Sequence, residues 1–200
     1  MTIRRAEPAD AAGIATVHVR SWQSAYRGSI PQDHLDRLSA DERRPLWEHR
    51  IAASSWPVRG VLVAETDGRL TGFAPFGPTR DKDADPATVA EVAALYLEPE
   101  AQGSGLGRAP IAKALDNLTT AGYTQVTLWV LNTSTKARLF YENTGWRSDG
   151  TVKTTTARGP ELTEPRYHRE RLALPPGHRT PPPPNEPASE RPPPHHHGHR

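Results

Sequence analysis

From Pro8 to Gly28 a helical period governs the chain: Ile14, Val17, His18, Ser21, Trp22 and Ala25 share one face, while Arg20 and Arg27 fall off it. The pattern predicts a helix, and Glu7-Pro8-Ala9-Asp10 supplies its start signal. Another helical stretch begins at Pro31, and residues 41–51 set Leu46, Trp47 and Ile51 among charges, as in a half-buried helix. Residues 2–5 form a short strand. Residues 59–65 and 69–76 read as a hairpin turning at Asp67-Gly68, with Pro75 demoting the end of its second strand to an edge or a bend.

A strand over 89–97 is apolar except for Glu91. A loop and a helix through Ala121 follow, then a strand over 124–131 with Val126, Leu128 and Val130 on one face. This strand–helix–strand unit implies parallel strands joined by a right-handed crossover. Ser134 is placed to cap a helix bearing Ala137, Phe140 and Tyr141 on one face, and Gly145 to end it. Residues 146–156 and 166–174 read as a last antiparallel pair. His18, on an apolar face, is expected to be packed and hydrogen-bonded.

Composition changes the picture at the C-terminus. Ten of the 21 prolines lie in 175–200, a stretch with no Trp, Tyr or Phe. It cannot bury enough surface to offset the entropy of ordering, so a domain over 1–174 and a disordered Pro/His-rich tail over 175–200 are expected. The His195 to His199 cluster would bind metal only adventitiously, and no metal is assigned. The formal net charge of +2 is too small to imply nucleic acid or membrane as a partner. No apolar run is long enough to span a bilayer, and the N-terminus lacks a signal-peptide stretch, so the expected location is the cytoplasm. The absence of cysteine excludes disulfides, thiolate metal sites and an acyl-cysteine intermediate.

The most informative segment is Gln102-Gly103-Ser104-Gly105-Leu106-Gly107-Arg108, between the strand ending at Leu97 and the next helix. Glycines at this junction leave bare backbone whose N–H groups can converge on an anion at a helix N-terminus. The spacing fits neither a P-loop, which needs Lys-Ser/Thr after its last glycine, nor a dinucleotide fingerprint, whose third glycine would fall at Arg108. Gln102-x-x-Gly105-x-Gly107, preceded by Leu95-Tyr96-Leu97-Glu98-Pro99, resembles the acetyl-CoA loop of the GNAT N-acetyltransferase superfamily. A second block resembles the same superfamily: Ser134 to Trp146, with Ala137, Phe140-Tyr141 and Gly145-Trp146. Two positions depart from the pattern. Ser134 stands where asparagine is frequent, and Pro110 stands where an apolar residue is usual, which calls for a kinked or later-starting helix.

The resemblance implies an α+β GNAT fold: a mixed, mostly antiparallel twisted sheet of about six or seven strands with a parallel splayed central pair, flanked by about four helices. It implies acetyl transfer from acetyl-CoA, as co-substrate, to a primary amine of a small molecule or protein, by direct attack. Leu95, Tyr96, Leu97, the loop from Gln102 to Arg108 and Ser134 would hold the donor. Arg108, Lys113, Lys136 and Arg138 are candidates for its remaining phosphate. Tyr141 would protonate the leaving sulfur, and Glu91, or a water it holds, would take the amine proton. A backbone N–H near a bulge around 95–97 would stabilise the developing oxyanion. Trp22 and Tyr26 would wall the acceptor pocket. The same loop and fold could instead serve a non-catalytic CoA-binding module, or a longer acyl donor. The resemblance also allows a homodimer.

Overall fold

The computed structural model describes residues 1–156 and 161–170. The proposed boundary at 174 and the 175–200 segment lie outside them. The strands are β1 (Thr2–Arg5), β2 (Gly60–Thr66), β3 (Arg69–Pro78), β4 (Val89–Val92), β5 (Tyr96–Leu97), β6 (Gln125–Trp129), β7 (Arg147–Thr155) and β8 (Leu162–Glu170). They form one sheet in the order β1-β2-β3-β4-β6-β8-β7, with β5 paired to β3. β4 and β6 are parallel, and the other neighbours are antiparallel. The helices are α1 (Ala11–Ala25), α2 (Gln32–Asp36), α3 (Ala40–Ala52), α4 (Arg108–Thr120) and α5 (Thr135–Asn143). This is the expected α+β architecture, with one strand split in two.

Strand alternation sorts the helices onto two faces. Val61, Val63 and Phe73 pack under α1 and α3, against Ile14, Val17, Trp47 and Ile51. Leu62, Val126 and Leu128 point the other way, onto Ile111, Ala114 and Leu118 of α4 and Tyr141 of α5. α1 buries Ile14, Val17, His18, Ser21 and Trp22 as its period requires. Ala25 is exposed, and the buried Tyr26 takes its place because the helix ends there. The hairpin turn is as expected: Asp67 and Gly68 both have positive φ, at 52° and 73°, which suits the twist of the flanking strands.

Three expectations are corrected. The strand expected over 89–97 is interrupted. β4 and β5 both pair with β3, but their registers differ by one residue, so the intervening segment carries a bulge. Pro75 is the counterpart. It neither ends nor bends β3, which runs on to Pro78 inside the sheet. Its carbonyl accepts from the Ala93 amide at 2.9 Å, so its nitrogen, which has no hydrogen, faces the same neighbour. The ladder fails there, and the neighbour buckles instead of β3. Finally, β8 starts at Leu162 rather than at 166. Pro165 argues against an earlier start, but its proton-free nitrogen falls beside Val130, just past the end of β6. Residues 171–174 lie outside the described set.

Pro110 is the third residue of α4, which begins at Arg108, the later start that proline calls for. An N–H at that position would have no intrahelical partner, so nothing is lost.

Close approach fixes β5 to β3. A Cβ on Gly72 would lie 2.5 Å from Leu97 Cδ2 and 2.9 Å from the Tyr96 carbonyl oxygen. Gly72→Ala is therefore expected to destabilise the fold by about 1–3 kcal/mol through overpacking, read as a lower urea midpoint. An unchanged midpoint would mean that β5 yields freely.

Candidate active site

Past residue 91 the parallel pair β4–β6 diverges, because β5 follows β3 while β6 follows β8. The Glu98 amide donates to the Thr71 carbonyl at 2.8 Å. By the alternation of an antiparallel pair, the Leu97 amide then points away from β3, into the gap. The Leu97 carbonyl is held by Ser21 Oγ at 2.7 Å and Gln102 Nε2 at 3.2 Å. The gap is thus edged by the Leu97 amide, on a strand that α1 keeps in place.

The glycine loop lies at the end of that strand. Gly103 and Gly105 have φ of 78° and 82°, which L side chains avoid. Gly107 has an ordinary φ and is needed for space: a Cβ there would meet Leu95 Cδ2 at 3.0 Å and Phe140 Cζ at 3.3 Å. Ser104 Oγ ties the loop back to the Ala101 carbonyl at 2.6 Å. Among the described residues, no protein group accepts from the amides of 103–107. These donors at the start of α4 form a nest suited to a phosphate group.

Ser134 occupies the N-cap position of α5, but its side chain makes no capping bond. Tyr141 lies buried beside Phe140, Trp146 and Tyr167. Burial, and then the nearby Tyr96 phenol, push its hydroxyl well above the ordinary phenol value, so it stays protonated. Arg138 donates to Tyr167 Oη at 3.2 Å and to the Asn132 side chain at 3.2 Å, while Arg108, Lys113 and Lys136 are exposed.

Glu91 is buried in β4, and both of its oxygens accept from Arg80, at 2.9 and 2.7 Å. Trp22 and Tyr26 are buried with Leu131 and Leu162, where the end of α1 closes over the gap. The Trp22 indole donates to Tyr96 Oη at 2.8 Å. Tyr96 also stacks on His18, whose Nδ1 accepts from Trp47 Nε1 at 3.2 Å. His18 is packed and hydrogen-bonded, as expected.

Reading the sequence missed two features. Arg80 as the partner of Glu91 had a weak signal, a cation just past a strand neighbouring that of the carboxylate. The other is an ionic hub without local signal. Arg166 reaches Asp81, Asp83 and Asp149 at 3.2, 2.9 and 2.6 Å, and Asp81 accepts from the Trp129 indole at 3.1 Å. The hub fastens the loop after β3 to β6, β7 and β8. Among the described residues, no group of three or more His, Asp or Glu side chains could hold a metal, and no helix is long and apolar enough to cross a membrane.

Residues 19–146 match the model of the acetyltransferase (GNAT) family. The uncharacterized N-acetyltransferase YuaI of Bacillus subtilis is 35% identical over 143 residues, 71% of this chain and 78% of that protein. The L-amino acid N-acyltransferase MnaT of Escherichia coli is 35% identical over 122 residues, 61% of this chain and 65% of MnaT. Among solved structures, yncA of Salmonella typhimurium with its cofactor acetyl-CoA superposes with a TM-score of 0.65 at 24% identity, covering 88% of this chain and 98% of that one. PaiA N-acetyltransferase of Thermoplasma acidophilum in complex with coenzyme A gives 0.64 at 18%, covering 84% and 98%. These two likenesses concern the fold.

The Arg166 hub generates a prediction. The Arg166 hydrogen bond holds Asp83 below the usual carboxylate range; for Asp149, burial opposes the lowering that the Thr151 amide and Arg166 produce. Carboxylates lowered in the folded state stabilise it above their unfolded values and lose that contribution as pH falls. Arg166→Met should cost about 3 kcal/mol at neutral pH, with the penalty shrinking below about pH 4 as the stranded carboxylates protonate. Denaturation of both proteins across pH tests this, and a penalty independent of pH would rule out the ionic account.

Proposed function

The chain belongs to the acetyltransferase (GNAT) family and is an N-acetyltransferase, and from that premise we propose that it transfers the acetyl group of acetyl-CoA directly to a primary amine. The observation that carries this reading is the row of unpaired amides at 103–107, at the start of α4 and beside the splayed strands. The residues present fit the donor. Gln102, Gly103, Ser104, Gly105, Leu106, Gly107 and Arg108 would take its pyrophosphate. Leu95, Tyr96, Leu97 and the uncommitted Ser134 hydroxyl would line its pantetheine arm. When bound, acetyl-CoA supplies the thioester that is attacked.

The chain's own groups then have three tasks. An acceptor ammonium must lose a proton before its nitrogen can attack. Arg80 occupies two of the roughly four lone-pair sites of the Glu91 carboxylate, which leaves Glu91 able to hold the water that receives this proton. The Leu97 amide is a fixed donor for the charge that develops on the thioester oxygen, worth ~3 kcal/mol. As the new C–N bond forms and the C–S bond breaks, Tyr141 gives its proton to the departing sulfur, and the second proton shed by the acylated nitrogen restores the phenol. Trp22 and Tyr26 act on the acceptor side, Trp22 through its bond to Tyr96. A chain with no cysteine has no thiol to carry an acyl group, which supports direct transfer. The name of MnaT, an L-amino acid N-acyltransferase, favours a small-molecule acceptor over a protein amino group.

Tyr141→Phe should lower kcat by about 100-fold or more while acetyl-CoA affinity changes less than about threefold. Thiol release and calorimetry measure the two, and with no protein cysteine the thiol reagent sees only CoA. Undiminished turnover would remove Tyr141 from the mechanism.

A further inference from the structure

We infer that the acceptor carries a carboxylate beside its amine and that Arg50 receives it, an inference that rests on the acetyl-transfer reading above. Arg43, Trp47 and Arg50 share one face of α3. Trp47 is buried against His18 and Phe73, and the Arg50 guanidinium lies 5.0 Å from the centre of the Trp47 ring, half-buried. The half-buried Arg4, Arg20 and Arg166 are matched with acids, Arg4 with Asp10 and Glu65, Arg20 with Glu98 and Glu100, Arg166 with three aspartates, and the exposed Arg80 spans Glu91; the half-buried Arg43 and Arg50 of α3 each stack on a tryptophan instead. Among the described residues, Arg50 has no carboxylate within 4 Å.

Its charged surroundings are unfavourable. Burial, followed by the Arg80 guanidinium, weakens the hold of Arg50 on its proton, and Tyr96 and Glu91 offset this only in part. Glu91 is already spanned by Arg80. Two neighbouring guanidiniums sharing one carboxylate leave an unmatched positive charge, which is expensive at half-burial. Stacking on Trp47 returns about 0.5–2 kcal/mol. It does not neutralise the charge. An incoming anion does, and the planar guanidinium fork matches a carboxylate with two parallel bonds.

Position gives the anion a use. Trp47, on which Arg50 stacks, packs on His18 and Phe73, and both of these pack on Tyr96, beside which the attacking amine would sit. An acceptor anchored by its carboxylate at Arg50 would present a nearby amine to the gap between β5 and β6, as an α-amino acid can. Binding would then orient the nucleophile as well as select it.

The test uses the full chain and matched acceptors that differ by the carboxylate alone: L-methionine against 3-(methylthio)propylamine, and L-phenylalanine against 2-phenylethylamine. Thiol release should give kcat/KM about 100-fold or more higher for each acid than for its amine. Arg50→Gln should collapse that ratio, mainly by raising KM for the acid, and Arg50→Lys should restore part of it. Arg43→Gln, which loses a comparable stack over Trp22, should keep the ratio. Calorimetry of acetyl-CoA binding to each variant reports whether the site is intact. Equal use of acids and amines, or a ratio lost equally in Arg43→Gln, would overturn the inference. If no acceptor releases thiol, the transfer reading fails. Titrating the same pairs into CoA-loaded wild type and Arg50→Gln then decides the Arg50 inference alone, because it requires acid-selective binding that the variant loses.

Discussion

Pro75 has no amide hydrogen to offer the strand opposite it, and that strand has one residue more than an even ladder could pair. Together these facts separate β4 from β5 and leave the Leu97 amide facing away from β3. A continuous strand would have kept β4 and β6 bonded along their length and left no gap. The unpaired loop amides, the buried phenol of Tyr141 and the closure of α1 are useful because the gap exists. The irregularity needs support from both sides. β3 supplies it through the tight seat of Leu97 over Gly72, and α1 supplies it through Ser21 on the Leu97 carbonyl.

Tyr96 centres an aromatic cluster on the α1–α3 side of the sheet. Its ring stacks on His18 and packs on Phe73, and its hydroxyl accepts from Trp22. Side chains locked in this way sit near one geometry before any ligand arrives, which is the condition for fixed dipoles to stabilise developing charge. On the far side of the gap, Arg166 does the corresponding work with three aspartates. The site is therefore held between an aromatic cluster and an ionic one.

What could be read from the sequence was local. Glycine spacing gave the loop before α4, the Phe140-Tyr141 pair and Gly145 gave α5, and helical period gave the buried face of α1. These features depend on neighbours a few residues apart, where type and spacing carry the physics. The unread features depend on register and distance. The break in 89–97 follows from Pro75 across a strand pair, and nothing within either segment announces it. Arg166 meets Asp81 from 85 positions away. Gly107 looks like one more flexible position, yet its value lies in the Leu95 and Phe140 side chains that approach it. Ser134 was recognisable as an N-cap by position, while its uncommitted hydroxyl was not.

The contact of Gly107 with Leu95 and Phe140 has an evolutionary consequence. It interlocks the glycine loop, the broken strand and α5, three segments drawn from residues 93–143, so a substitution in one must be accommodated by the others. The helix that carries Arg43 and Arg50 belongs to the first 52 residues and takes no part in this interlock. Drift in α3 therefore requires no matching change in the three interlocked segments, which are bound to change together.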